Sequence, residues 1–216
     1  MYLIKTPYLI KKLTGKSVIW DFPKGKNQIF LTFDDGPIPE LTPLILEILD
    51  TYQIKATFFC VGENVFKHSD LYNDILSKGH SVGNHTFNHL NGWKTKNEEY
   101  IENIKKAETF INSTLFRPPY GKININQINE VKKDYFTILW TVLSGDFDIS
   151  LSKENCLQNV IENTTDGAII VFHDNLKASE RVLYALPRFI EHFLKLGFHF
   201  EAITNEILSE YKKSTI

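Results

Sequence analysis

Residues 28–60 read QIFLTFDDGPIPELTPLILEILDTYQIKATFFC. A strand-like apolar run at 28–33 gives way to helical apolar spacing at 39–53, and a second strand-like run follows at 55–60. Two strands separated by a helix run parallel, because the helix carries the chain back along the sheet in a right-handed crossover. The unit then recurs. Further strand-like runs stand at 80–85, 113–118, 136–140, 168–173 and 198–203. Helical spacing fills 69–79, 97–112, 126–134, 153–165 and 178–197. Gly79 and Gly197 follow two of these helices, and Ser69 and Ser179 are placed to begin two. Seven strand–helix units in one chain predict an α/β fold, and a barrel suits them better than an open sheet. The pattern alone leaves closure of that barrel open.

The chain has 216 residues, is 43% hydrophobic and 23% charged, and carries a formal net charge of −2. That composition suits one globular domain, and its near-neutral charge gives no reason to expect a nucleic-acid partner. Cys60 and Cys156 are far apart and form no CxxC pair, so neither a disulfide framework nor a cysteine zinc site is expected. Residues 1–27 read as a basic N-terminal arm packed on a domain spanning 28–216. Lys5, Lys11, Lys12 and Lys16 interrupt its apolar residues, so it lacks the h-region of a secretory signal. No stretch is apolar for long enough to span a bilayer. The expectation is a soluble, cytoplasmic protein, with contact to an anionic membrane face as the alternative for the arm. Nothing in the pattern fixes the oligomeric state.

Parallel α/β folds gather function at the carboxyl ends of their strands. Asp34 and Asp35 fall there, as do His85 and His89, Arg117 and Tyr120, Asp146, and His173 with Asp174. Five polar clusters at five strand ends carry more weight than any one of them. If HTFNH (85–89) makes a helical turn, His85 and His89 share one side and can hold a single cation. One of the two aspartates completes a His₂–carboxylate set with open positions, the pattern of catalytic zinc. The cation also explains why two adjacent carboxylates are tolerated: one becomes a ligand, and the other is left free to take a proton from an activated water. Arg117 can keep that base ionised, and His173 is available as a general acid. Hydrolysis of an acyl bond is the reaction class implied.

In order, TFDDGP (32–37), HTFNH (85–89), RPPY (117–120), DF (146–147) and IIVFHD (169–174) resemble the motifs of the polysaccharide deacetylases of the NodB-homology type, carbohydrate esterase family 4. The resemblance runs over roughly residues 28–203 and implies a distorted (β/α)₇ barrel. It further implies Asp35, His85 and His89 as metal ligands, Asp34 as base, Arg117 as its support, His173 as acid and Asp146 as the carboxylate orienting that acid. Tyr120 stands where the family uses a backbone N–H for the oxyanion, and Val171 where an apolar side chain lines the pocket for the acetyl methyl. The implied cofactor is a divalent metal, zinc first, and the implied partner a carbohydrate carrying N- or O-acetyl groups. Two positions depart from the family's DxxDW motif: Leu143 replaces the first acid, and Phe147 the tryptophan. The competing functions are hydrolysis of another non-peptide C–N bond, as in deformylating an activated or lipid-linked sugar, and glycan binding by a catalytically dead barrel. A non-haem iron oxygenase shares the ligand set but leaves Asp34, Arg117 and His173 unexplained.

Overall fold

A computed structural model gives the structure of residues 2–214. Among these, nine strands run β1 (Val18–Ile19), β2 (Gln28–Asp34), β3 (Thr57–Cys60), β4 (Ser81–Asn84), β5 (Leu115–Phe116), β6 (Phe136–Ile138), β7 (Val142–Leu143), β8 (Ala168–His173) and β9 (His199–Glu201). The helices are α1 (Tyr8–Thr14), α2 (Thr42–Thr51), α3 (Gly62–Lys67), α4 (Ser69–Ser77), α5 (Asn97–Glu108), α6 (Ile125–Val131), α7 (Lys153–Asn163), α8 (Ser179–Lys195) and α9 (Asn205–Ser214). All seven strands read from sequence are present. The two added ones, β1 and β7, are two residues long and too short to show alternation. The added helices are α1, α3 and α9.

Every ladder is parallel, in the order β1-β6-β5-β4-β3-β2-β8-β7. β2 is the hub: it pairs with β8 along most of its length, with β9 at its start and with β3 at its end. The sheet has to curl. β6 and β7 stand six places apart in that order, about 29 Å in a flat sheet. Only Leu139, Trp140 and Thr141 join them, and that length of chain reaches at most about 14 Å. The curled edges then meet across the N-terminal segment. β1 pairs with β6, Asp21 bridges Ala168 antiparallel, and the Phe22 N–H donates to the Gly167 carbonyl at 2.9 Å. Residues further upstream flank β7, with Lys5 opposite Val142.

Alternation divides the strands between two cores. Ile29, Leu31 and Phe33 of β2 pack with Ala168, Ile170 and Phe172 of β8 beneath the helices. α8 supplies Val182, Ala185, Leu186, Phe189, Ile190 and Phe193 to that layer, the spacing of one helix face. Phe30, Phe59, Ile138 and Ile169 instead fill the barrel with Ile19 and Phe22. Thr32 and Asp34 share the inner face of β2 with Phe30, as Val171 and His173 share that of β8 with Ile169. The polar mouth thus stands on an apolar plug. His80 is buried: its Nδ1 accepts the Ala56 N–H at 3.2 Å, and burial pushes its imidazole down to about 4.

Phe30 is fully enclosed, and its ring lies 4.3 Å from that of Phe22. Phe30→Ala is expected to cost about 3–5 kcal/mol of stability. Urea unfolding measures this, and a loss below about 1 kcal/mol would mean that the plug can collapse around the void.

Candidate active site

Register builds the first half of the site. Asp34 lies opposite His173 in the β2–β8 ladder, with Thr32 opposite Val171. Both pairs project into the barrel mouth, and a slip of one residue would send all four side chains outward. Arg117 Nη1 donates to Asp34 Oδ1 at 2.6 Å, with the guanidinium wholly buried and the carboxylate nearly so. Three further donors are also placed. Nη1 reaches Thr32 Oγ1 at 2.7 Å, Nε the Ile138 carbonyl at 3.1 Å and Nη2 the Leu139 carbonyl at 3.3 Å. The guanidinium carbon lies 4.0 Å from the centre of the Phe59 ring, a cation–π contact in a desolvated setting.

Strict alternation would point Asp35 away from Asp34. Its left-handed backbone, φ 85°, breaks that alternation. Asp35 Oδ1 lies 3.0 Å from His89 Nε2 and 3.6 Å from His85 Nε2. One ligand atom from each of the three residues falls within 4.8 Å of the other two. His85 Nδ1 lies 2.7 Å from the Arg117 carbonyl, which can only accept, so Nδ1 carries the proton and Nε2 its lone pair. His89 Nδ1 stands 3.1 Å from the Tyr120 hydroxyl, which can accept the same proton. Asp35 Oδ1 is buried and has no hydrogen-bond partner. An orphaned carboxylate oxygen facing two imidazole nitrogens suits a divalent cation and little else. The histidines do not sit on the helical turn proposed for HTFNH. Thr86 (φ 63°) and His89 (φ 60°) are both left-handed, and the loop is held by the Thr86 N–H on Asn84 Oδ1 (2.8 Å) and the Phe87 N–H on Asn103 Oδ1 (2.8 Å).

Across the mouth, His173 Nδ1 lies 2.7 Å from Asp146 Oδ1, while the His173 backbone N–H donates to Asp146 Oδ2 at 2.6 Å. Burial pulls the His173 imidazole down, but the carboxylates of Asp146, Asp35 and Asp34 outweigh it and raise the ring to about 9. Arg181 of α8 fixes the loop carrying Asp146 by donating from Nε to the Asp146 carbonyl at 2.6 Å. Phe147 stands edge-on to His173 with centroids 5.0 Å apart, and Tyr2 packs on its other side at 4.9 Å. The Tyr2 hydroxyl donates to Asp148 Oδ2 at 2.9 Å. Leu143 is buried in β7 opposite Val171. Tyr120 is exposed, with φ 61°.

Several contributors have no motif of their own. Asn175 Nδ2 donates to Asp35 Oδ2 at 2.6 Å, and Asn64 Nδ2 to the Asp35 carbonyl at 2.8 Å. Asn175 directly follows the HD pair at the end of β8, which is the one sequence signal it offers. Asp174 accepts the Thr42 hydroxyl at 2.5 Å through Oδ2. Burial pushes the Asp174 carboxyl up to about 7. Its side chain fills the space where a Cβ on residue 36 would lie, so only glycine fits there. Trp93 is exposed, its indole N–H donating to the Ile123 carbonyl at 3.1 Å.

The sequence model of one family, described as Polysaccharide deacetylase, matches residues 21–139, more than half of the chain. The chain belongs to the polysaccharide deacetylase family. It is 32% identical over 202 residues to a peptidoglycan-N-acetylglucosamine deacetylase of Bacillus cereus, covering 90% of this chain and 94% of that one. A chitooligosaccharide deacetylase of Azorhizobium caulinodans is 30% identical, with 74% and 80% of the two chains covered. A solved structure of a peptidoglycan N-acetylglucosamine deacetylase superposes with a TM-score of 0.84 at 31% identity, over 92% of this chain and 95% of that one. The curled parallel barrel is therefore the polysaccharide deacetylase fold, and the named deacetylase relatives place the chain among hydrolases of C–N bonds that are not peptide bonds.

Asn175 acts on a ligand oxygen that does not face the histidines, so its removal tests the Asp35–His85–His89 cluster as a metal site. Asn175→Ala is expected to weaken zinc binding about 10–100-fold with the fold intact. Competition with a chromophoric chelator measures this, and unchanged affinity would remove Asn175 from the ligand support.

Proposed function

We propose that this chain is a metal-dependent hydrolase that removes N-acetyl groups from an N-acetylglucosamine-containing polymer, with zinc as the metal. One observation carries the reading. Asp34 and His173 stand in register on adjacent strands, each with its own charged partner, beside the Asp35–His85–His89 cluster. Binding alone needs no such division into base and acid. The named substrates of the two relatives, peptidoglycan and chitooligosaccharide, both contain N-acetylated glucosamine and support that substrate class.

A cation held by Asp35, His85 and His89 would polarise the acetyl carbonyl and make the attacking water more acidic. Asp34 takes the proton from that water as its oxygen bonds to the carbonyl carbon. Arg117 keeps Asp34 in its ionised, accepting form. The Tyr120 backbone N–H assists the developing oxyanion. His173 has Nδ1 engaged by Asp146, so Nε2 delivers the proton to nitrogen as the C–N bond breaks. Acetate and a free amine leave. Val171, two residues before His173 on the inner face, supplies an apolar floor for the acetyl methyl, and Phe147 walls the acid's side of the pocket.

Asp34→Asn is expected to keep stoichiometric metal while acetate release from chitooligosaccharides falls at least about 100-fold. Undiminished release would refute Asp34 as the base. The acid has a separate signature. His173 must be protonated to act, and its carboxylate neighbours raise it to about 9. The rate should therefore hold through neutral pH and fall as pH rises through that region. Asp146→Asn removes a charge that raises the ring, so the alkaline limb of kcat/KM should move to lower pH. A limb that stays in place would exclude His173 as the titrating acid.

A further inference from the structure

The exposed apolar side chains are unevenly distributed. Of fifteen large ones among the described residues, five fall within residues 3–13. α1 buries none of its residues. Tyr8, Leu9 and Leu13 are 78%, 69% and 81% exposed. Leu9 and Leu13 are four apart and share a face, and Tyr8 and Lys12, also four apart, lie beside them. Single exposed leucines are ordinary, but a clustered apolar face marks an interaction surface.

That face is held in place rather than left to fray. The preceding residues are bonded to the β7 segment through the Thr6 N–H on the Thr141 carbonyl at 3.0 Å. Lys11 pairs with Asp21 at 2.5 Å, and the Trp20 indole donates to Thr14 Oγ1 at 2.7 Å. A seven-residue helix is marginal alone. Tied at both ends, it presents its face without the entropy of ordering it on contact.

We propose that α1 and its flanks dock this protein on an anionic lipid surface, the apolar face entering the headgroup boundary and the lysines meeting lipid charge. Residues 1–20 hold four lysines and no acid. Lys5 and Lys12 are exposed, and neither makes an ion pair among the described residues. The same charge disfavours a second copy as the occupant, since a two-fold interface sets each patch against itself and opposes lysine to lysine. No helix among the described residues is long and apolar enough to cross a membrane, so the mode is lying on the surface. The inference goes beyond the proposed reaction and stands or falls apart from it.

Vesicle flotation of the 216-residue chain tests it, using phosphatidylglycerol–phosphatidylcholine vesicles against pure phosphatidylcholine. Binding to the anionic vesicles is expected to be about 10-fold tighter or more. It should be lost in Leu9→Ser/Leu13→Ser and lose its charge preference in Lys5→Gln/Lys12→Gln. Both variants should keep the wild-type Tm and acetate release from soluble oligosaccharide, so that lost binding reports the surface rather than the fold. Absent wild-type flotation, equal binding to both vesicle types, or binding unchanged in the leucine variant would each overturn the proposal. So would a dimer in gel filtration that the leucine substitutions abolish, which would assign the face to a second copy.

Discussion

Arg117 brings a permanent charge into a barrel interior closed to water, and much of the mouth is arranged around satisfying it. Stranding such a charge by removing its partner costs about 3–5 kcal/mol, which explains how many groups turn toward it. The carbonyls of Ile138 and Leu139 point inward to its Nε and Nη2, so β6 ends there and the chain is released to cross the seam to β7. Thr32 and Asp34 take the other side. The Arg117 carbonyl receives the His85 Nδ1 proton, which fixes the tautomer of a proposed metal ligand. One side chain therefore sets the base, the seam and the direction of a ligand lone pair.

The rest of the mouth depends on backbone that side chains rarely permit. Asp35, Thr86, His89 and Tyr120 all have positive φ, at a cost of about 1–3 kcal/mol each. Asparagines offset that strain by supplying the hydrogen bonds that regular structure would have made. Asn84 caps the Thr86 N–H and donates to the Ile104 carbonyl at 3.0 Å. Asn103 takes the Phe87 N–H, and Asn64 holds the Asp35 carbonyl. These bonds tie the ligand loops to α3 and α5, so the outer helix layer positions the site it surrounds.

Much of this was legible in the sequence, and what was not has definite causes. The seven strands read from sequence announce themselves because burial on both faces demands apolar runs around them. The residues brought to the mouth were readable because parallel strands deliver their C-terminal ends to one side. β1 and β7 carry two residues each, and like β5 they are too short to show a period of their own. The HTFNH spacing suggested a helical turn because i and i+4 meet on a helix, yet two left-handed residues bring the imidazoles together equally well. Left-handed backbone at threonine and histidine has no compositional signal. Asn175 and Asn64 were missed for a related reason: a supporting amide looks like any loop asparagine until the chain has folded. Closure could not be read at all, since it depends on a short N-terminal segment bridging the two edges.

The doubled acid that ends β2 belongs to a larger electrostatic problem, because Asp146 and Asp174 converge on the same mouth. Four carboxylates so close would repel one another if all were left alike, and each is handled differently. Asp34 has a permanent guanidinium. Asp146 has His173, whose ring its charge helps to raise to about 9. Asp174 is pushed by burial up to about 7 and hydrogen-bonded by Thr42, so near neutrality a share of it carries no charge. Asp35 and Asp174 each keep a buried oxygen without a hydrogen-bond partner, but only that of Asp35 faces two imidazole nitrogens. Its two imidazole neighbours offer lone pairs rather than permanent charge, so the missing positive charge has to come from outside the chain. A divalent cation meets that need at the one acid left uncompensated, and it leaves Asp34 charged and unligated beside it. The separation of ligand from base thus follows from where the protein spends its own cations.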